Sequence, residues 1–184
     1  CLVSVGPAPM SLYVVLYPSR GRGVYPDSER LGDFAVTLDD IKKLRQLDSK
    51  TPGHPEYRWT AGVETTTGPL GQGLGNSVGM AIAGKWVAAH FNQPGFEMFD
   101  YNVYAVCGDG DMMQGVAGEA ASLAVPPKPS NLSWLQDVTT FTWDGRARGP
   151  FPGAAGGRFE ALGWMVQQFP DANGPHSAPR GDSA

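Results

Sequence analysis

The sequence has little cysteine. Only Cys1 and Cys107 occur in 184 residues, too few for a disulfide framework, and His54, His90 and His176 show no ligand spacing with them, so a zinc site is not expected. Basic charge is scarce as well: 14 Lys and Arg against 18 Asp and Glu leave a formal net charge of -4. No cluster of Lys or Arg is dense enough to make a nucleic-acid surface, which leaves small molecules as the expected partners. No apolar run approaches the roughly 18 residues that span a membrane, and the N-terminal "CLVSVGPAPMSLYVVLYPSR" has neither a basic leader nor a small-residue cleavage signal. The expected compartment is the cytoplasm. Internal repeats are lacking too. The one compositional bias is the Gly/Pro/Ala-rich stretch from Arg146 to Gly157, with little material for a core.

What is present fits one α/β domain. A length of 184 residues and a hydrophobic content of 41% are enough for a sizeable core. Opening on Cys1 and closing in "PDANGPHSAPRGDSA", the chain is expected to be a piece of a longer protein, with a domain over 1–169 and a disordered tail over 170–184.

"MSLYVVLY" is a short apolar element stopped by Pro18, and "SRGRGVYPDSERLGD" reads as a loop. In "VTLDDIKKLRQL", Thr37 stands three residues before Asp40, a capping-box spacing, and Ile41, Leu44 and Leu47 predict one apolar helix face. "SKTPGHPEYRWTAGVETTTGPLGQG" should be irregular, and a loop of that length in a compact domain is usually functional. A helix is predicted from an N-cap at Asn76, with Val78, Ile82, Trp86 and Ala89 on one side.

"YNVYAVC" predicts a buried strand and "GVAGEAASLA" a short helix ended by "PPKPS". "NLSWLQ" is a second strand, "TTFTW" its candidate continuation, and "GRFEALGWMVQQF" a helix divided from a candidate strand by Gly163. Helices alternating with strands predict a parallel sheet flanked by helices.

Between that strand and helix stands Gly108-Asp109-Gly110. In parallel α/β sheets ligands gather at the carboxyl ends of strands, where glycines let backbone approach a diphosphate and a carboxylate offers Mg²⁺ a hard oxygen. A Gly-Asp-Gly tripeptide by itself is more often only a turn.

The wider context is more specific. "SKTPGHPEYRWTAGVETTTGPLGQGLGNSVGMAIAGKW" resembles the signature region of the transketolase family, and "CGDGDMMQGVAGEAASLA" resembles its thiamine-diphosphate motif, with the match clear from Leu38 to Ala124 and looser to Val166. The resemblance implies a diphosphate-binding domain fold and a ketol transfer between sugar phosphates in pentose phosphate metabolism. The implied cofactors are thiamine diphosphate and Mg²⁺, and the implied assembly of the full-length protein is a homodimer. Carried over by position, Asp109 would ligate Mg²⁺, and Gly108 and Gly110 would shape the turn beside the diphosphate. His54 would contact substrate near the reacting carbon, and Gly68, Pro69 and Leu70 would line the cofactor pocket.

The sequence also departs from the family. Val138 and Thr139 occupy the places of an Asn-Asn or Asp-Asn pair whose second member ligates Mg²⁺, leaving Thr139 a hydroxyl to offer and the Phe141 carbonyl unaffected. Weakened metal binding is the expectation. Gln114 stands where the family has a glutamate directed toward the partner subunit, Pro7 replaces a histidine that reaches the diphosphate, and the loop from Pro18 to Asp33 looks unlike the family's connection. The family's cofactor-activating glutamate lies in another domain, so the chain alone is expected to be incomplete for catalysis.

Three alternatives stand beside this reading. One is a related thiamine-diphosphate enzyme such as dihydroxyacetone synthase or deoxyxylulose-phosphate synthase, although "GPLGQG" with "TPGHPE" disfavours the latter. Another is a decayed, non-catalytic module. The third is a dinucleotide loop in "GQGLGNSVG", but Asn76 takes the place of the final glycine and a loop rather than a strand precedes it.

Overall fold

A computed structural model describes residues 2–3, 9–19, 34–125, 130–138, 141–142, 145–146 and 150–169. In chain order the elements are β1 (Leu2–Val3), α1 (Pro9–Ser19), α2 (Leu38–Lys42), α3 (Gln72–Phe91), β2 (Val103–Gly108) and α4 (Asp109–Met112). After them come α5 (Gly115–Leu123), β3 (Leu132–Asp137), β4 (Phe141–Thr142), β5 (Gly145–Arg146) and α6 (Pro150–Ala161). The sheet has the order β1-β2-β3 and is parallel throughout, so the predicted α/β architecture is the observed one. Its register sets Val103 opposite Leu132 and Gly108 opposite Asp137.

Alternation along β2 decides which face is covered. Val103, Ala105 and Cys107 point into a core with Leu74 and Ala81 of α3, Ala117 and Ala121 of α5 and Phe159 of α6. On the opposite face Tyr104 and Leu135 stay about half exposed, unusual for a parallel sheet, which normally buries both faces. On the covered side Leu74, Val78 and Ala81 of α3 pack with Ala117, Ala120 and Ala121 of α5, while a Cβ on Gly84 would lie 2.9 Å from the Tyr101 ring. Indole N-H groups then tie the layers, Trp134 donating to Ser77 Oγ at 2.8 Å and Trp164 to the Ala121 carbonyl at 3.2 Å.

Several sequence expectations are corrected. The first apolar element is a helix that passes through Pro18 to Ser19, because a proline this close to the end of α1 removes a single intrahelical bond. The capping box at Thr37 and Asp40 forms, but α2 lasts only five residues and Leu47 is 93% exposed, so the predicted Ile41-Leu44-Leu47 face does not exist. The chain turns instead through Arg45 and Asp48, both in left-handed conformations. α3 begins at Gln72, not after Asn76, and its buried stripe runs through Leu74, Ser77, Val78 and Ala81. Trp86, predicted inside, is 56% exposed and stacks on His90 at 3.8 Å.

β4 is not a continuation of β3; it pairs antiparallel with β5 as a separate hairpin. α6 starts at Pro150, inside the stretch judged poor in core material, and carries Phe159 into the core at its end. After Gly163 residues 164–169 form no strand. The loop after α1 and the tail over 170–184 lie outside the described residues. No helix of the described residues is long and apolar enough to cross a membrane.

Candidate functional site at the carboxyl edge of the sheet

β2 ends at Gly108, and Asp109 is already the first residue of α4. The Gly-Asp-Gly stretch is therefore a strand end running into one helical turn, which sets Asp109 at the carboxyl edge of the sheet. Asp109 is only 3% exposed, and its Oδ1 accepts a hydrogen bond from Gln136 Nε2 of β3 at 2.9 Å. β4 lies against α4, so the backbone of Phe141 runs beside the turn that Asp109 opens. Thr139, the other predicted ligand, lies outside the described residues, as does Pro7. Val138 presents an exposed hydrocarbon side chain. Among the described residues no three His, Cys, Asp or Glu side chains gather in a metal-binding group.

The long loop reaches this edge. It is irregular as predicted, and its order comes from side chains that satisfy backbone carbonyls. Thr51 Oγ1 donates to Asp40 O at 2.6 Å, Thr60 Oγ1 to Lys50 O at 2.6 Å, and the Tyr13 hydroxyl to Pro52 O at 2.9 Å. Further on, Tyr57 N donates to Thr66 Oγ1 and Thr67 N to Pro55 O, clipping the two arms together. Fourteen residues apart in sequence, His54 and Gly68 become neighbours: a Cβ built on Gly68 would lie 3.7 Å from His54 Cγ. The His54 ring is exposed and makes no hydrogen bond among the described residues, so both ring nitrogens are open to a ligand.

Pro69 and Leu70 carry the loop onto the turn. Leu70 Cδ1 would stand 3.4 Å from a Cβ on Gly110, so a side chain there would close the gap between loop and turn. The structure thus brings Leu70 to Gly110 and His54 to Gly68, while no hydrogen bond among the described residues links His54 to Asp109. Gln114 Nε2 donates to the Gly110 carbonyl at 3.1 Å, a contact that needs an amide and that a carboxylate cannot make.

Sequence reasoning missed Asp111. It is fully buried, Oδ1 accepting from Gly71 N at 2.7 Å and Oδ2 from Gly108 N at 3.0 Å. Its position three residues after the strand end is a capping-box spacing that could have found the second contact. The first spans forty residues and has no local signature. Gln136 was missed for the same reason. Behind the turn, burial first and then the charges of Asp111 and Asp109 push the Cys107 thiol up to about 12.

Comparison with known proteins identifies the family. Residues 24–178 match the family model described as transketolase, thiamine diphosphate binding domain. The transketolase of Geobacillus stearothermophilus is 44% identical over 94% of this chain and 24% of its own length, and transketolase 1 of Escherichia coli K12 is 47% identical over 82% and 23%. A Pichia stipitis transketolase solved in complex with sedoheptulose 7-phosphate superposes with a TM-score of 0.76 at 39% identity, covering 89% of this chain and 22% of that one. The chain spans about a quarter of the length of these relatives. With that span and those motifs in place, the chain belongs to the transketolase family and corresponds to part of its thiamine-diphosphate-binding domain.

Proposed function

We propose that this chain is the diphosphate-binding part, over 1–169, of an enzyme that moves a two-carbon ketol unit between sugar phosphates with thiamine diphosphate and Mg²⁺. The observation that carries the reading is Asp109 at the carboxyl end of β2, next to a glycine that keeps Leu70 3.4 Å from a would-be Cβ. A buried hard-oxygen donor between two glycines, whose backbone carries no side chain of its own, suits a magnesium-bound diphosphate. The donor set for the metal is thin: Asp109, the Thr139 hydroxyl and the Phe141 carbonyl are its supports.

When bound, thiamine diphosphate supplies the nucleophilic carbon and electron sink for cleaving a ketose carbon-carbon bond. This chain's residues orient and enclose. Asp109 takes the metal's charge, Gly108 and Gly110 admit the phosphates, and Leu70 shields one side of the gap from water. His54, exposed and without a hydrogen-bond partner among the described residues, can hold a substrate hydroxyl or move its proton. The sugar-phosphate complex of the Pichia stipitis relative supports that substrate class.

The half-exposed Leu70, Met113 and Val116 around the gap support a second subunit covering it in the full-length protein, and the half-open sheet face supports further chain completing the domain. A buried free thiol at Cys107 fits a reducing, cytoplasmic compartment. Alone, the chain lacks the activating acid that the family resemblance assigns to another domain, so no turnover is expected from it.

Calorimetric titration with thiamine diphosphate and Mg²⁺ tests the reading. The wild-type chain should bind saturably, and Asp109→Ala should lose that binding; equal affinity in the two proteins would remove the anchor. One observation favours a second reading, a decayed module: Thr139 stands where the family resemblance implies an asparagine ligand, beside hydrocarbon at Val138. No heat at millimolar cofactor would select it.

A further inference from the structure

Asp111 has no counterpart among the residues assigned to cofactor or substrate, yet it holds both halves of the gap. Its carboxylate is 0% exposed, and each oxygen accepts a backbone N-H from a different segment. Gly108, held at 3.0 Å, immediately precedes Asp109. Gly71, held at 2.7 Å, immediately follows Leu70 and is the N-cap of α3. One rigid side chain of two torsions therefore fixes the loop over 68–71 against the turn over 108–110. Charge-assisted bonds of this length are among the stronger ones, and no water competes for them in a buried site.

We propose that Asp111 is a positioning residue that sets the separation between Leu70 and the Gly108–Gly110 backbone, and through it the affinity for the diphosphate-bearing cofactor. This rests on the function proposed above and adds a residue to it. An amide in the same place keeps one acceptor and turns an NH₂ group toward a backbone N-H, so one of the two segments is released.

The test compares Asp111→Asn with Ser77→Ala in the full chain as encoded. Ser77 is buried and accepts the Trp134 indole N-H, so its loss destabilises the fold without touching the gap. We expect Asp111→Asn to weaken magnesium-dependent thiamine diphosphate binding about tenfold or more, the effect of losing one charge-assisted bond, with Ser77→Ala within about twofold of wild type. Unchanged affinity in Asp111→Asn, or equal weakening in Ser77→Ala, would overturn the proposal.

If the wild type binds no cofactor, the functional reading fails and amide hydrogen exchange judges the brace separately. Faster exchange at Gly71 or at Gly108 in Asp111→Asn than in Ser77→Ala supports it; unchanged exchange at both rejects it. Should the variant not fold, exchange in the wild-type protein decides. Strong protection at both amides is expected, and rapid exchange at either one refutes the contact.

Discussion

Replacing Gly71 by alanine perturbs the site from the opposite side of the same contact. Gly71 has φ +80, in the left-handed region, where an L side chain costs about 1–2 kcal/mol. Its new Cβ would also lie 2.8 Å from Val116 Cγ1 and 3.0 Å from Gln114 Cβ. Val116 is β-branched and stiff, and Gln114 Cβ is attached directly to backbone, so neither moves without shifting α5. Overpacking of that kind costs about 1–3 kcal/mol, bringing the expected loss to about 2–5 kcal/mol.

Gly95 supplies the internal control. It has φ +79 with nothing within 4 Å of a would-be Cβ, so Gly95→Ala should show only the backbone cost. The gain from restricting the unfolded chain is shared by both variants and cancels in the difference. At about 2–4 °C per kcal/mol for a chain of this size, thermal unfolding should fall by about 4–20 °C for Gly71→Ala and about 2–8 °C for Gly95→Ala. Urea unfolding of the two variants measures the gap directly. If Gly71→Ala loses no more stability than Gly95→Ala, the loop is not pressed against α5 and the tight join between loop and turn is wrong.

Other outcomes follow from single contacts. Thr37→Ala removes the cap of α2, where Thr37 Oγ1 receives the Asp40 N-H at 3.2 Å; urea unfolding should show a loss of about 1 kcal/mol. Leu47→Ser, at a site 93% exposed, should stay within about 0.5 kcal/mol of wild type, and a larger loss would restore the apolar face that the structure denies. Alkaline stability should decline because burial raises Cys107 from 9.0 to about 12 and Tyr13 from 10.0 to about 12. Both groups stay protonated in the folded chain while the unfolded one releases the protons, so their contribution is complete below pH 9 and disappears as pH approaches 12. Urea midpoints over that window should fall less steeply in Cys107→Ala and in Tyr13→Phe; slopes identical to wild type in both would refute the burial argument.

How much of this was legible in the sequence depends on how local each determinant is. β2 and α5 could be read because an apolar run, two glycines and an alanine-rich segment each carry their own conformational preference. The capping box at Thr37 could be read for the same reason. The length of α2 could not, since its end is set where Arg45 N donates to Thr51 O, a choice the helix pattern does not contain. In α3 the predicted face followed the large residues, Ile82 and Trp86, whereas the buried stripe follows small ones. Packing of Ala81 with the alanines of α5 and of Gly84 against the Tyr101 ring rewards small size over bulk, a tertiary effect that hydrophobic periodicity does not register.

The same distinction separates the two acidic residues of the turn. Asp109 was found because its position after a strand, between glycines, admits a metal ligand and the resemblance of the surrounding motif to the transketolase family singled that role out over a plain turn. Asp111, two residues on, is also an aspartate and more completely buried, yet half of its work is with Gly71, forty positions away. The residue nearest the proposed ligand is therefore the readable one, and the residue that fixes the walls around that ligand is not. A carboxylate buried at 0% exposure with both oxygens engaged by backbone is expensive to desolvate, and its retention beside Asp109 makes sense where the separation of two segments must be held closely. Loop and turn thus behave as one unit joined at Asp111, and a change at Gly71, Leu70 or Gly110 should be felt at Asp109 without touching it.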